Sequence, residues 1–464
     1  MNTLCHRPVA AIALAHAPAR HRSPRRLRIA LLTACLGWAA VGTAQADAVT
    51  DWNATFDATS KPIGGRPQRD YVGAMVHIAI HDALNSIDRR YQTYSVVPPA
   101  GVSANPDAAI AAAARDVMIN QLGRPPETPE KAASRASIEA AYVTALAAIP
   151  NGTAKAQGVA AGRAAAAAII AVRQNDGSDT PNLPYMLAPG RGLHQPTAPD
   201  FPAPKNAGWA LVKPFALQSG SQFRARPGEL FELRSFAYTL DYYVVKRVGE
   251  FNERASRPNS RGTNTARFWH ADGSNWNLIA RTIVAKRHLD RWQHARLFAL
   301  MLMASADGAI QVFDTKYTYN FWRPVTAIRW ANDGNPLTRS DPDWLPFFSF
   351  SGQSTPPYPD YTCALPTASG ASTEVLRRYF GTDYVPYTLK VTVPALALAP
   401  PPAAPMLPAK EIRRTYWSLS RAAQESALSR VYAGIHFYEG CVKGVHDGEN
   451  VGRYVSAHYL RPVK

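Results

Sequence analysis

The feature that most constrains the fold is a long apolar segment, Gln293 to Asp314, that leads directly into a basic and aromatic motif. This motif reads Lys316-Tyr-Thr-Tyr-Asn-Phe-Trp-Arg323-Pro324. An apolar run of this length predicts a helix that is buried by other elements. The chain therefore needs a large core around it.

Other segments carry the same helical signature. Apolar residues recur at three-and-four spacing from Tyr71 to Asn85, and no alternating pattern supports a large sheet. We predict an all-α fold, a helical bundle. The further predicted helices are Ala108 to Val117, Lys131 to Ile149, Ala154 to Arg173, Glu229 to Arg254, Trp276 to Leu289, Pro366 to Phe380 and, as the last strong helix, Thr415 to Val431.

Proline-rich segments separate these helices. Residues 174–230 predict an extended connection that wraps over the fold, and residues 331–361 predict a second long loop. Residues 385–408 include an alanine-proline tract, which we interpret as a surface excursion or mobile loop. We divide the chain after the leader into an N-terminal helical half, 47–260, and a second domain, 261–464.

The first 46 residues resemble an export signal. Arginines from Arg20 to Arg28 precede the apolar run Ile29 to Val41, and Ala44-Gln45-Ala46 is a small-residue cleavage signature. We therefore expect a signal peptide over 1–46 and a periplasmic or extracellular protein. The run is too short for a permanent membrane anchor. The Arg25-Arg26 pair fits a twin-arginine signal or a chance pair in a basic leader.

Charge and cysteine content exclude some classes of protein. Removing six arginines with the leader lowers the formal net charge from +17 to +11, and such a basic chain attracts anions. No nucleic-acid-binding signature accompanies the charge, so we expect no nucleic acid partner. Only Cys363 and Cys441 remain after the leader, too few for a disulfide scaffold or a structural zinc site.

Two separated groups of residues carry candidate chemistry. Lys316 and Arg323 are seven residues apart, which predicts that both lie on one helical face, with Pro324 stopping regular structure. Their side chains suit an oxyanion, because arginine offers a rigid fork of donors and lysine a movable point charge. The alternative is an exposed lysine and a salt-bridged arginine beside core aromatic residues.

The second group is Ser429-Arg430-Val-Tyr-Ala-Gly434-Ile-His436. Arg430 and His436 are six residues apart and do not share a helical face, but Gly434 lets the backbone turn so that both can converge. The imidazole of His436 can act as a metal ligand or a phosphoryl nucleophile. It can also be an ordinary hydrogen-bonded structural histidine.

The order and spacing of both groups resemble the vanadium haloperoxidase and type-2 phosphatidic acid phosphatase superfamily. Pro356-Pro-Tyr-Pro-Asp-Tyr361 and Ala427 to His436 resemble its phrases, and Ala74 to Asp88 is similar to bacterial haloperoxidase-like members. The resemblance implies a helical bundle of the haloperoxidase and acid phosphatase type. It also implies that His436 bonds the vanadium of vanadate or attacks phosphorus. Three cations would neutralise the oxyanion: Lys316, Arg323 and Arg430.

One motif of that superfamily is altered. Its Pro-Ser-Gly-His segment aligns with Thr362-Cys363-Ala364-Leu365, so Cys363 and the Ala364 amide would replace the serine and glycine contacts to the oxyanion. Leu365 replaces the acid–base histidine and cannot transfer a proton. Loss of general acid–base catalysis costs about 10²–10⁴-fold in rate. We therefore expect anion binding to survive better than turnover.

The altered motif leaves local alternatives open. Cys363 can be a small buried hydrophobe, a disulfide partner of Cys441, or a reactive thiolate beside three cations. His446-Asp447 lies near His436 in sequence and is a candidate substitute acid–base pair.

The sequence thus indicates an exported haloperoxidase-like protein with a vanadate or phosphate pocket and impaired peroxide-dependent halide oxidation. Its expected partners are small anions, hydrogen peroxide, and a halide or phosphoester. The alternatives are an acid phosphatase-type hydrolase, a non-catalytic phosphate- or vanadate-binding protein, and an interaction scaffold.

Overall fold

The computed structural model describes residues 47–185, 188–198, 201–271, 275–349, 355–397 and 406–463. The predicted signal peptide, residues 1–46, lies outside the described residues, as do residues 398–405 of the alanine-proline tract.

The described chain is mostly helical, which confirms the all-α prediction. The helices are α1 Ala48–Thr59, α2 Arg66–Ile87, α3 Pro106–Leu122, α4 Pro129–Ala147, α5 Thr153–Val172, α6 Phe236–Val248, α7 Phe251–Ala255, α8 Arg261–His270, α9 Trp276–Val284, α10 Arg291–Tyr319, α11 Pro324–Arg329, α12 Ala364–Phe380, α13 Leu419–Tyr432 and α14 Tyr438–His458.

Helix α10 is the central element. Asp290 and Gln293 form a capping box at its start, and the helix continues through Lys316. It packs against α2, α12 and α14, so it joins the early and late parts of the chain. Helix α10 is long and apolar enough to cross a membrane. However, 94% of its most apolar stretch is buried inside the fold. It is therefore packed as a core helix.

The largest of the apolar core clusters in the described chain draws on both its early and late helices. Its buried residues run from Val49 in α1 to Leu460 after α14. Small residues allow close helix packing in the N-terminal half, where a Cβ on Gly162 of α5 would lie 2.3 Å from the carbonyl oxygen of Ala109 in α3. The division between residues 260 and 261 stays a prediction.

The described residues of the proline-rich connection 174–230 have little regular structure beyond short 3₁₀ turns, including Ala207–Leu211. A buried carboxylate fastens it to α10. Asp307 accepts the backbone N–H groups of Phe215, Ala216 and Leu217 at 2.6, 2.7 and 2.9 Å. These hydrogen bonds anchor the connection, which has few helical hydrogen bonds of its own, to α10.

The described residues of the segment 385–408 do not form the surface excursion or mobile loop that the sequence predicted. β1, Tyr384–Val393, pairs antiparallel with β4, Lys410–Ser418, and alternate residues of β1 are buried. Two shorter strands, β2 Leu396–Ala397 and β3 Met406–Leu407, also pair. β1 itself shows the two-residue alternation that buries one face, and it was missed because these residues were grouped with the alanine-proline tract that follows them.

The predicted helix boundaries near the C-terminus are also wrong. Residues 410–418 form a strand, and α13 begins only after Ser418, whose side chain accepts the Arg421 N–H as an N-cap. The last helix is α14, which the sequence interpretation missed. Glycine is a poor helix former, and α14 contains several glycines that serve packing rather than propensity. The predicted helix Glu229 to Arg254 is likewise divided, with α6 ending at Gly249.

The contact between α12 and α14 depends on these glycines. Gly444, Gly448 and Gly452 follow one face of α14 and meet the backbone of the α12 segment. A Cβ on Gly448 would lie 2.0 Å from the carbonyl oxygen of Thr367. The absence of side chains therefore sets the separation of the two helices that flank the Cys363 segment.

We expect Gly448→Ala to lower the free energy of unfolding by about 1–3 kcal/mol, because the added methyl group must push α12 and α14 apart. Gly440→Ala in the first turn of α14 is the matched control, since its Cβ would meet only a Tyr361 ring carbon at 3.6 Å. Urea denaturation followed by tryptophan fluorescence measures both. Equal stability of the two variants would contradict the close contact.

Candidate functional site

Lys316 and Arg323 reach the site from different helices. Lys316 lies in the last turn of α10, which ends at Asn320 in a left-handed conformation. Arg323 is the N-cap residue of α11, and Pro324 occupies its first turn. The prediction of one shared helical face is therefore wrong, as is the prediction that Pro324 stops regular structure. Proline suits the first turn of a helix because its missing N–H has no partner there.

Arg430 and His436 converge through the turn that the sequence predicts. Arg430 lies in the last turn of α13, and Gly434 adopts a positive φ of 76° before His436. A side chain at Gly434 would also collide with Gly249, whose carbonyl oxygen would lie 2.3 Å from its Cβ. Both the conformation and the contact thus require glycine at this turn.

Two buried cations bind the backbone of the loop before α12. Lys316 Nζ donates to the carbonyl oxygen of Pro359 at 2.9 Å and also to that of Asp360. Arg323 Nε donates to the Tyr358 carbonyl oxygen at 2.8 Å, and Nη1 donates to that of Ile435 at 2.7 Å. The two side chains therefore hold the loop against the turn after α13.

Asp360 is a site residue to which the sequence interpretation gave no role. Its side chain is 1% exposed, one carboxylate oxygen accepts from His436 Nδ1, and the other accepts the Phe437 N–H at 3.1 Å. Burial opposes the charge of this carboxylate, but His436, Arg323 and Lys316 hold its pKa below the usual value. The sequence did offer a signal for this role, because Asp360 is an acidic residue within the Pro356 to Tyr361 segment that resembles the superfamily.

The Asp360 contact orients the imidazole of His436. Because a carboxylate can only accept, Nδ1 carries the proton, and Nε2 keeps its lone pair. Arg323 Nη1 lies 3.0 Å from Nε2. Any ligand that bonds to Nε2 would therefore share this position with the guanidinium.

A cavity of about 510 Å³ opens beside this network. Its lining includes most of the predicted site residues and adds a wall from α2 and α8. The lining residues used below are His270, Tyr358, Cys363, Ala364, Leu365, Arg430 and His436.

Lys316 and Arg323 lie behind the Tyr358 ring instead of lining this cavity. Their charged groups are 5.3 and 4.9 Å from the ring centroid. Burial, followed by repulsion from Arg323, lowers the pKa of Lys316 to about 7. The pair therefore acts on the cavity through its positive field more than through direct contact.

Donors remain available for an anion. Arg323 Nη2 is buried without a hydrogen-bond partner. Arg430 is 8% exposed, and we find no ion pair for it within the part of the chain that the structure describes. Buried donors without partners are costly, and an oxyanion in the cavity would satisfy those of Arg430. These groups fit vanadate or phosphate.

Proton-transfer groups are placed less favourably. Leu365 lines the cavity with an apolar side chain, at 9% exposure. His446, the candidate substitute, is 68% exposed at its side chain and lies 3.8 Å from Glu449 instead of lining this cavity. Its neighbour Asp447 is buried, and burial raises the pKa of this carboxyl to about 7. His270, which the sequence interpretation did not consider, lines the cavity.

Cys363 and Cys441 are free thiols and both are buried, at 1% and 0% exposure. The structure therefore contains no disulfide between them. Burial raises the pKa of the Cys363 thiol, but the Cys441 thiol, His436 and Arg430 together outweigh burial and hold it well below the usual value. Cys363 is the member of the pair that lines the cavity.

Comparisons with known proteins agree with this architecture. Residues 296–464 match the family described as the VCPO second helical-bundle domain. The vanadium chloroperoxidase of Curvularia inaequalis is 28% identical over 313 residues, which cover 56% of this chain and 50% of that protein. The chain thus spans about half the length of this curated relative.

Two solved structures share the fold. The first bacterial vanadium-dependent iodoperoxidase superimposes with a TM-score of 0.70 at 22% identity, covering 90% of this chain and 97% of that chain. The apo-type bacterial vanadium-dependent chloroperoxidase gives a TM-score of 0.60 at 16% identity, covering 84% and 92%. These similarities confirm the resemblance predicted from the sequence.

We expect Asp360→Asn to lower the free energy of unfolding by about 3 kcal/mol at pH 7. The substitution removes the negative charge that balances the buried Arg323 guanidinium. The folded-state pKa of Asp360 is depressed, so its stabilisation is present above the unfolded pKa of about 4 and is lost as the pH falls further. The difference between wild type and variant should therefore shrink below pH 4.

Urea denaturation across pH 3 to 7 checks this expectation. Asp343→Asn is the matched control, because Asp343 is exposed and should change stability by less than about 0.5 kcal/mol. An Asp360→Asn protein as stable as this control at pH 7 would show that the Asp360 carboxylate does not hold the site together.

Proposed function

We propose that this chain binds a tetrahedral oxyanion and turns over slowly. Residues 296–464 match the VCPO second helical-bundle domain, and the fold is that of the bacterial vanadium haloperoxidases. One observation carries the proposal. Arg430, without an ion-pair partner in the described chain, faces a cavity that it shares with His436 and the N-terminus of α12.

The binding groups have distinct tasks. His436 Nε2 would bond to the central atom of vanadate, while Arg430 would donate to its oxygens. Ala364, at the start of α12, adds a backbone amide and the positive end of the helix dipole. Bound vanadate would supply the Lewis-acid centre that activates hydrogen peroxide toward a halide.

Asp360 supports this arrangement without contacting the anion. Its carboxylate holds the Nδ1 proton of His436 and so directs the Nε2 lone pair away from itself. It also balances part of the charge of Lys316 and Arg323. The remaining positive field favours an anion with more than one negative charge.

Slow turnover follows from Leu365. A hydrocarbon at this position of the cavity cannot accept the first proton of peroxide or protonate a leaving group. The loss applies equally to halide oxidation and to phosphoester hydrolysis, so the second candidate function is non-catalytic binding of phosphate or vanadate. Its support is the combination of free cationic donors with an apolar side chain at the acid–base position.

We expect Arg430→Ala to weaken orthovanadate and phosphate binding by about 10- to 100-fold, because it removes charge-assisted hydrogen bonds worth about 1.5–3 kcal/mol. Isothermal titration calorimetry measures this change. Arg421→Ala is the matched control, since Arg421 is exposed on the same helix and lines a different cavity. Equal binding by wild type and Arg430→Ala would rule out the proposed pocket.

The same proteins should be assayed for bromide oxidation by peroxide after vanadate loading, and for hydrolysis of a chromogenic phosphate ester. We expect slow bromide oxidation that His436→Ala abolishes. Vanadate binding without any turnover would favour the non-catalytic function. Rapid turnover lost in His270→Ala would instead assign proton transfer to His270 and contradict the role given to Leu365.

A further inference from the structure

Two thiols meet at the edge of the cavity. Cys363 is the N-cap residue of α12, and its backbone N–H donates to the Gly440 carbonyl oxygen at 3.0 Å. This hydrogen bond brings the start of α12 beside Cys441 in the first turns of α14. Both cysteines belong to one buried apolar cluster, and Cys363 lines the same cavity as His436.

The two sulfur atoms have unequal environments. Cys363 lines the cavity beside Arg430, whereas Cys441 is absent from that lining and is fully buried. Cys441 packs in an apolar cluster with Tyr361 and Phe437. A small molecule in the cavity therefore reaches Cys363 first, and Cys441 is shielded from it in the apolar cluster.

We propose that Cys363 and Cys441 form a peroxide-reducing dithiol site, with Cys363 as the attacking and Cys441 as the resolving residue. This activity needs neither vanadate nor a halide, so it goes beyond the function proposed above. Hydrogen peroxide is the oxidant, and an external small thiol is the reductant that restores the dithiol.

The chemistry is a two-electron oxidation in two steps. The Cys363 sulfur attacks one peroxide oxygen, the O–O bond breaks, and the other oxygen leaves as water with the thiol proton. A sulfenic acid remains on Cys363. The Cys441 sulfur then attacks the Cys363 sulfur, the S–O bond breaks, and that oxygen leaves as a second water with the Cys441 proton. The product is a Cys363–Cys441 disulfide.

The surroundings favour a small oxidant. Cys363 is only 1% exposed, so a bulky disulfide substrate cannot align with its sulfur, whereas hydrogen peroxide fits easily in a cavity of about 510 Å³. The Arg430 guanidinium lines the same cavity as Cys363 and can stabilise the negative charge that develops on the departing oxygen. Cys441, in the same apolar cluster, supplies the resolving thiol.

The experiment uses the reduced full chain, freed of vanadate with a chelator and of reductant by desalting. After treatment with one equivalent of hydrogen peroxide, peptide mapping by mass spectrometry should find Cys363 joined to Cys441. Mapping is needed because Cys5 and Cys35 add further thiols to the full chain. Reduction by dithiothreitol should restore both thiols.

Two variants separate the roles. In Cys441→Ser, dimedone should trap a sulfenic acid on Cys363. In Cys363→Ser, Cys441 should react at least roughly tenfold more slowly than Cys363 does in the wild type, because no cavity-facing sulfur remains. Far-ultraviolet circular dichroism confirms that each variant is folded, and the wild-type mapping stands even when a variant is not.

Wild-type Cys363 and Cys441 that both stay reduced in excess peroxide would overturn the proposal. So would a Cys441 that oxidises equally fast in Cys363→Ser. Because the assay contains no vanadate and no halide, its failure leaves the oxyanion proposal untouched, and failure of vanadate binding leaves the dithiol proposal untouched.

Discussion

The hydrogen bond between the Asp360 carboxylate and the His436 imidazole holds the site together. It joins the loop before α12 to the turn between α13 and α14, and Arg323 binds backbone carbonyl groups on both sides of it. A buried carboxylate beside a buried guanidinium is stable only when each compensates the other. The geometry of the cavity therefore depends on a charge network that lies behind its wall.

This network divides the cations into two kinds. Lys316 and Arg323 are mostly engaged with backbone carbonyl groups, and they fix the loop that carries Tyr358 and Asp360. Arg430 remains available to a ligand. The spacing of charged residues in a motif therefore indicates that they converge, but their hydrogen bonds decide which of them can bind an anion.

Much of the helical architecture could be predicted from periodicity, because helices such as α2 and α10 carry continuous apolar patterns. The convergence of Arg430 and His436 was also predictable, since Gly434 marked the turn between them. The strand β1 was missed because its alternating residues were grouped with the alanine-proline tract that follows them, and its partner strand lies beyond that tract. Helix α14 was missed because its glycines are selected by the approach of α12, which a local pattern does not report.

The role of Asp360 was hidden for a related reason. Its value lies in contacts to His436 and Phe437, which are distant in sequence and become neighbours only in the folded chain. The Cys363 and Cys441 pair is similar, because Gly440 and the start of α12 must meet before the two sulfur atoms do. Candidate residues within motifs could thus be identified from the sequence, whereas their contact partners from distant parts of the chain could not.

The central claim is that the cavity keeps its anion-binding groups but lacks a proton-transfer group at Leu365. The most direct measurement compares kcat for bromide oxidation in vanadate-loaded wild type and Leu365→His, with vanadate affinity determined in parallel. The account predicts similar affinity and a rise in kcat of about 10²-fold or more, the lower range expected of a general acid–base group. Similar kcat values in two equally loaded proteins would contradict it.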